Sequence, residues 1–509
     1  VAALKARGQP RASRPGLRTA VALAAGMLAA SAAHAQLRIT PTFSAQLTLT
    51  DNRDLSATNR ESDAIVQVSP GISMRSAAGP VQGSLDYSLN ALVYASDSSR
   101  NTVQHALRAL FQAEIVPGHA YVDGTAGISQ QLTSLFGQRA PGGGLDNANT
   151  SEVYTASLSP NVRGRIAGAV DAQARLSWTG SRTKDSLVGD YDTLGATVGL
   201  GGRQGLFGWG LDGSRQVNEY KHGEPRTTQD TARFSVSAAP DPELQFSVRR
   251  GWEANDLGGS LDVSETFWGY GVTWVPTPRT TLALQSDRRF FGNSHSLSFS
   301  HRMARSVWSF TDSRGLSGGD LLNADARSLL SRYQQSFGEC MLAFGNNPQA
   351  QPLCEALARA SVGLDPSGTG GFLNSARSLQ RSQTLSVAFS GLRSTVTVSG
   401  FRSQNERIEG VTYATGDLSQ VDKVRQLGFT LGVSHRLTPT SSVALTASRQ
   451  RTLDAAPLPG TDQRLLTASW SATLGSNLTG TITLRHTEFD SVTSPYNESA
   501  LIGSVAMRF

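Results

Sequence analysis

Residues 500–509 read Ala-Leu-Ile-Gly-Ser-Val-Ala-Met-Arg-Phe, and the sequence stops on that aromatic. Leu501, Gly503, Val505, Met507 and Phe509 fall on one face of an extended chain; Ile502, Ser504, Ala506 and Arg508 fall on the other. An apolar face ending in Phe is what the closing strand of an outer-membrane barrel offers to lipid. An ordinary terminal strand reads the same way, so the rest of the chain has to decide.

The other end narrows the choice. Residues 1–18 carry Lys5, Arg7, Arg11, Arg14 and Arg18 and no acid, and residues 19–33 are small and mostly apolar. Ala33, His34 and Ala35 then form a small-x-small cleavage site before Gln36. This layout predicts a signal peptide over 1–35 and a mature chain over 36–509. The whole chain carries +6, of which the five cations of the leader supply most. The basic balance is therefore a targeting feature and gives no reason to expect a nucleic-acid partner. Beyond residue 35 no apolar run is long enough for a membrane helix. An exported chain of this kind is periplasmic, secreted, or a barrel in the outer membrane.

Alternation runs through nearly all of the mature chain. Val81, Gly83, Leu85, Tyr87 and Leu89 oppose Gln82, Ser84, Asp86, Ser88 and Asn90. Val170, Ala172, Ala174, Leu176 and Trp178 oppose Asp171, Gln173, Arg175 and Ser177. Leu466, Ala468 and Trp470 oppose Thr467, Ser469 and Ser471, and Ile482 and Leu484 oppose Thr483 and Arg485. Period two with one polar face marks half-buried strands, in a sandwich as much as in a barrel.

Connection lengths separate the two. Short Gly, Pro and Asn turn signals stand at 77–79, 117–118, 163–164, 240–242, 276–278, 438–440 and 475–477. They alternate with longer polar connections at 51–62, 133–150, 184–190, 219–229, 403–421, 452–461 and 490–497. Short turns on one rim and long loops on the other are the layout of outer-membrane barrels. The hairpins predict an all-β, transmembrane antiparallel barrel of about 22 strands, within 18–24, with both termini in the periplasm. Trp178, Trp268, Tyr270, Trp274 and Trp470 lie on the apolar faces and are candidates for the aromatic girdles.

One connection, 313–377, is far longer than the others. Segments 321–337 and 353–361 within it have helical spacing and almost no β-branched residues, and parity places it outside the cell. Cys340 and Cys354 both lie in it, and an oxidising compartment predicts a disulfide between them.

No constellation points to catalysis, a metal or a cofactor. His105, His119, His222, His295, His301, His435 and His486 are scattered singly. The glycine-rich run 199–210 lies between alternating segments with no following helix, which suits a hairpin turn better than a phosphate loop. The polar faces, with Asp86, Asp171, Arg175 and Arg485, predict a wet lumen. The first strand, near 39–50, follows the cleavage site closely and leaves no room for an N-terminal plug. Either the lumen is open or the 313–377 insertion folds into it.

Particular stretches carry a family likeness. They are Trp274 to Thr280 (Trp-Val-Pro-Thr-Pro-Arg-Thr), Arg289-Phe290-Phe291-Gly292, His301-Arg302, Thr50-Asp51-Asn52, Ser69-Pro70-Gly71, Asp86-Tyr87 and Ile128 to Gln131. In these the chain resembles the PEP-CTERM system-associated outer-membrane proteins, a family of large barrels. The resemblance implies an association with exopolysaccharide synthesis and exosortase sorting, and it carries no catalytic residues. Physically, Gly292 and Asn293 read as a two-residue turn, with Phe290 and Phe291 at the outer rim. The expected partners are outer-membrane lipid and lipopolysaccharide, the insertion machinery, and exopolysaccharide. The expected function is a non-enzymatic channel or secretion component. The alternative is a surface scaffold whose loops bind glycan or sorted proteins.

Overall fold

The computed structural model describes residues 37–509 apart from 77, 143–144, 146, 185–187, 222–224, 259–261, 318–372, 374–376, 412 and 414. The expected leader, the two cysteines and the two segments expected to be helical, 321–337 and 353–361, lie outside the described residues.

The chain forms one antiparallel sheet of 22 strands. Its first third comprises β1 (Leu37–Thr50), β2 (Asp63–Ser76), β3 (Val81–Tyr94), β4 (Thr102–Val116), β5 (Ala120–Leu132), β6 (Thr150–Ile166), β7 (Val170–Thr183) and β8 (Tyr191–Gln204). The sheet continues through β9 (Phe207–Tyr220), β10 (Thr227–Asp241), β11 (Leu244–Asp256), β12 (Asp262–Thr277), β13 (Thr280–Arg289), β14 (Gly292–Arg302) and β15 (Ser306–Leu316). It ends with β16 (Leu379–Ser390), β17 (Ser394–Glu406), β18 (Lys423–Thr438), β19 (Ser441–Thr452), β20 (Thr461–Thr473), β21 (Leu478–Ser491) and β22 (Tyr496–Arg508). Every strand pairs with its neighbours in sequence, and β1 pairs with β22 from Thr42↔Arg508 to Thr50↔Ala500. The sheet is therefore a closed barrel without a free edge.

The side chains sort by parity. Leu176, Val198, Val248 and Leu484 stand between 58% and 63% exposed, and Trp268, Phe429 and Leu466 join them on the same outer surface. An apolar belt of this extent has no place on a soluble protein and every reason to be there in lipid. The opposite positions carry Ser, Thr, Gln, Asn and paired charges. Short turns join the strands at the end where β1 begins and β22 finishes, which identifies the periplasmic rim.

Three sequence expectations shift. The turn expected at 163–164 lies at Ala167 and Gly168, because β6 keeps alternating as far as Ile166. Ala167 (φ 49°) and Gly168 (φ 71°) are both left-handed and Ala169 N–H donates to Ile166 O, a type I′ turn that matches the twist of the flanking strands. The turn expected at Gly292 and Asn293 falls instead on Phe290 and Phe291, since Arg289 pairs directly with Gly292. It is a tight connection on the long-loop rim, and the two rings, 5.1 Å apart and edge to face, pack into an apolar cluster that rewards their position. Finally, residues 313–316 extend β15 and pair with β16, so the long connection starts at 317.

Candidate functional site

The inner wall is polar and its charges are matched in place. Asp86 accepts from Arg75 (2.8 Å), Asp171 from Arg165 (2.8 Å) and Glu498 from Arg485 (2.7 Å), while Arg175 reaches Asp123 (3.0 Å). The four charges expected in the lumen thus lie on inward-facing positions of β3, β7 and β21, each within an ion pair. They do not converge on one site. Pairs that alternation alone did not single out are Arg233–Asp212, Arg249–Asp287 and Arg289–Glu253. One of them depends on a glycine: a Cβ at Gly269 would stand 1.8 Å from Asp287 Oδ1, so only glycine lets that carboxylate reach Arg249. Arg233 faces Asp212 in register on the neighbouring strand, whereas Arg249–Asp287 and Arg289–Glu253 reach across β12, so such partners become visible only once the pairing is known.

The extracellular mouth is where the molecule departs from a plain tube. Among the described residues, those of the β5–β6 loop (133–149 apart from 143–144 and 146) fold inward across the opening, while the body of the 313–377 insertion lies outside the described residues. Leu135 N–H donates to Asp417 Oδ2 (2.8 Å) in the β17–β18 loop. Leu135 O accepts from Thr452 Oγ1 (3.0 Å) at the end of β19. Arg139 Nη2 donates to Thr452 Oγ1 (2.7 Å), and the Arg139 carbonyl accepts from the Tyr496 hydroxyl of β22. Gln138 Nε2 reaches the Leu55 carbonyl in the β1–β2 loop (2.8 Å), and Arg485 Nη1 donates to the Pro141 carbonyl. A single loop rising from β5 and β6 is thereby tied to five other strands or loops around the rim.

Two apolar clusters sit beneath these ties. Leu135 and Phe136 pack with Leu257, Leu379, Ile408, Val411, Leu418 and Val424, and Phe290 and Phe291 lean on the same cluster. Leu145 packs with Leu55, Ile65, Leu92, Phe489 and Tyr496 nearer the barrel seam. Residues from opposite sides of the rim meet in the first cluster, so the mouth holds a small hydrophobic core. Leu135 and Leu418 are wholly buried there.

The electrostatics of the closure are strained. Burial pushes the Asp417 carboxyl above its ordinary value of 3.8, against the pull of hydrogen bonds from Ser134 and Leu135 and of the Arg139 charge. Burial brings the Arg139 guanidinium down to about 10. Its Nε and Nη1 have no hydrogen-bond partner among the described residues, nor does Gln426 Oε1 nearby. Arg377, buried between the Gln229 amide (2.9 Å) and the rim, is also lowered by desolvation. Buried cations without a carboxylate in contact favour exposure.

Trp268, Tyr270, Trp274 and Trp470 project outward, 40% to 51% exposed, and Trp178 projects from the same face of β7. Trp209, Trp252, Trp308 and Phe389 also face outward, beyond the five aromatics expected from the sequence. Leu501, Val505 and Phe509 face outward with Met507 beside them. Cys340 and Cys354 lie outside the described residues. Among the described residues no group of three His, Cys, Asp or Glu side chains is placed to hold a metal ion.

A closed antiparallel sheet, apolar outside and polar inside, defines the chain as a transmembrane β-barrel of the bacterial outer membrane. No protein-family profile and no curated protein sequence matches it. Among solved structures it is similar to the FrpB iron transporter from Neisseria meningitidis (F5-1 variant), at 11% identity, with 92% of this chain and 82% of that one covered and a TM-score of 0.48. It is also similar to the siderophore receptor PirA from Pseudomonas aeruginosa, at 9% identity, 92% and 80% coverage and a TM-score of 0.44. For the alcaligin outer-membrane receptor FauA from Bordetella pertussis the figures are 11% identity, 93% and 76% coverage and 0.43.

Proposed function

We propose that the chain is a gated, non-enzymatic outer-membrane channel for a hydrated, hydroxyl-rich cargo, with exopolysaccharide or related envelope material as the class it moves. The inner wall carries the proposal: rows of Ser, Thr, Gln and Asn offer hydroxyl and amide partners, and its carboxylates are largely held by neighbouring arginines. Such a wall neither holds an ion tightly nor binds an apolar solute. The resemblance to the PEP-CTERM system-associated proteins supports the exopolysaccharide assignment and the link to exosortase sorting. In this reading the 133–149 loop is the gate, displaced when cargo passes.

The alternative, a surface scaffold, draws on the apolar core in the mouth, which would keep a non-conducting barrel shut. Its loops, the 313–377 insertion foremost, would bind glycan or sorted proteins. We further propose that residues 1–35 are removed on export and that Cys340 and Cys354 are bridged. Leu501, Val505, Met507 and Phe509 act as the signal read by the insertion machinery, and Trp178, Trp268, Tyr270, Trp274 and Trp470 as girdle residues.

Deleting the gene and measuring surface against periplasmic polysaccharide separates the readings. Periplasmic accumulation supports the channel. Normal polysaccharide with lost attachment of surface proteins refutes it and supports the scaffold.

A further inference from the structure

Outside the lumen, the extracellular part of β17–β20 carries a group of arginines that the channel reading does not use. Arg402 of β17 and Arg451 of β19 flank Leu427 of β18 on the outward face. Arg425 stands two residues above Leu427 on the same strand and the same face. Strand spacing puts the three Cα atoms within about 10 Å of one another. All three are exposed, and none has a side-chain hydrogen bond or ion pair among the described residues. Nearby carboxylates are already engaged. Asp462, opposite Arg451, is gripped by Arg449 (2.5 Å); Glu488 and Asp490 pair with Arg464 (3.2 and 4.0 Å); Glu406 pairs with Lys423 (3.3 Å).

Height and surroundings say what these guanidinium groups meet. Arg402 and Arg449 stand eight residues above the starts of their strands at the periplasmic turns, as do the outward Trp178 and Trp252. They are thus level with the upper aromatic positions, where lipid gives way to headgroups. Leu427 lies level with Arg402 and Arg451, and Phe429, Leu445 and Leu466 lie below, each of the four 42% to 50% exposed. Free phosphate has no use for that apolar surface. A phosphorylated glycolipid uses both parts, its phosphate among the arginines and its acyl chains on the apolar strip.

We infer that the outer face of β17–β20 is a binding site for lipopolysaccharide, with Arg402, Arg425 and Arg451 as the phosphate ligands. The site goes beyond the transport reading and stands whether or not the lumen conducts.

The test uses the full mature chain, purified in detergent and stripped of lipid, with purified lipopolysaccharide as the probe. The variant Arg402→Gln/Arg425→Gln/Arg451→Gln should bind at least ten-fold more weakly than the unaltered chain. Arg203→Gln/Arg279→Gln/Arg305→Gln, which removes the same charge near the periplasmic turns, should bind normally. Dephosphorylated lipopolysaccharide should bind the unaltered chain and the first variant equally weakly. Heat-modifiable electrophoretic migration reports whether each barrel is folded. Should the triple Gln variant not fold, Arg425→Gln alone should show a several-fold loss and the triple Lys variant should retain most of the affinity. Equal binding by the folded triple Gln variant overturns the site. So does indifference to dephosphorylation, and so does inorganic phosphate binding as tightly as the glycolipid, which would mark a free-anion site.

Discussion

Asp417 is the residue on which the closure turns most sensitively. Its folded-state pKa is raised by burial, so its contribution to the closed mouth is complete below the ordinary value of 3.8 and is lost as pH rises through the raised value. Hydrogen exchange at the amides of 133–149 should therefore quicken as pH climbs across that window, once the intrinsic pH dependence of exchange is removed. Asp417→Asn should flatten the profile while still accepting from Leu135 N–H. A profile unchanged by the substitution would remove Asp417 from the closure. Leu135, wholly buried, tests the packing side. Leu135→Ala should weaken the loop's local stability by about 2–5 kcal/mol, the usual range for an emptied leucine site. The same exchange experiment at neutral pH reads this as lost protection confined to the loop and its partners. Neither role was legible beforehand: Leu135 and Asp417 are 282 positions apart, and no local pattern announces that they touch.

Among elements, strands were read well and connections unevenly. Alternation is a local property, enforced by lipid on one side and water on the other, so it survives in the one-dimensional record. Turn placement was readable where Pro or Asn marked it. It failed at Ala167 and Gly168, where only a Gly between alanines signals the bend, and at Phe290 and Phe291, where tertiary burial overrides turn chemistry. The inward path of the 133–149 loop was invisible, because what fixes it are partners on β19, β21, β22 and two distant loops. That loop makes a sharp prediction. Replacing residues 135–146 by a short Gly-Ser linker leaves the β5–β6 hairpin intact and should raise single-channel conductance in planar bilayers well above that of the intact chain. Conductance unchanged by the deletion would show that the loop does not gate.

For the whole molecule, the prediction concerns closure of the sheet. Phe509 N–H donates to the Pro41 carbonyl across the seam, and the ring faces outward. Removing Phe509 should lower the yield of assembled barrel in the outer membrane and leave export to the periplasm unchanged, as read by fractionation and heat-modifiable migration. Normal assembly without it would move the insertion signal elsewhere in β22.

The pairing of β1 with β22 also sets the order in which the barrel is made. Every other ladder joins strands adjacent in the chain, whereas at the seam Thr50 meets Glu498 across 448 positions. Hairpins can therefore form early, all but β15–β16 closing a short segment, while the seam has to wait for the last strand to arrive. Until then β1 and β22 are naked edges able to recruit foreign strands. The slow step of assembly, and the interval most open to aggregation, is the moment before those two edges find each other.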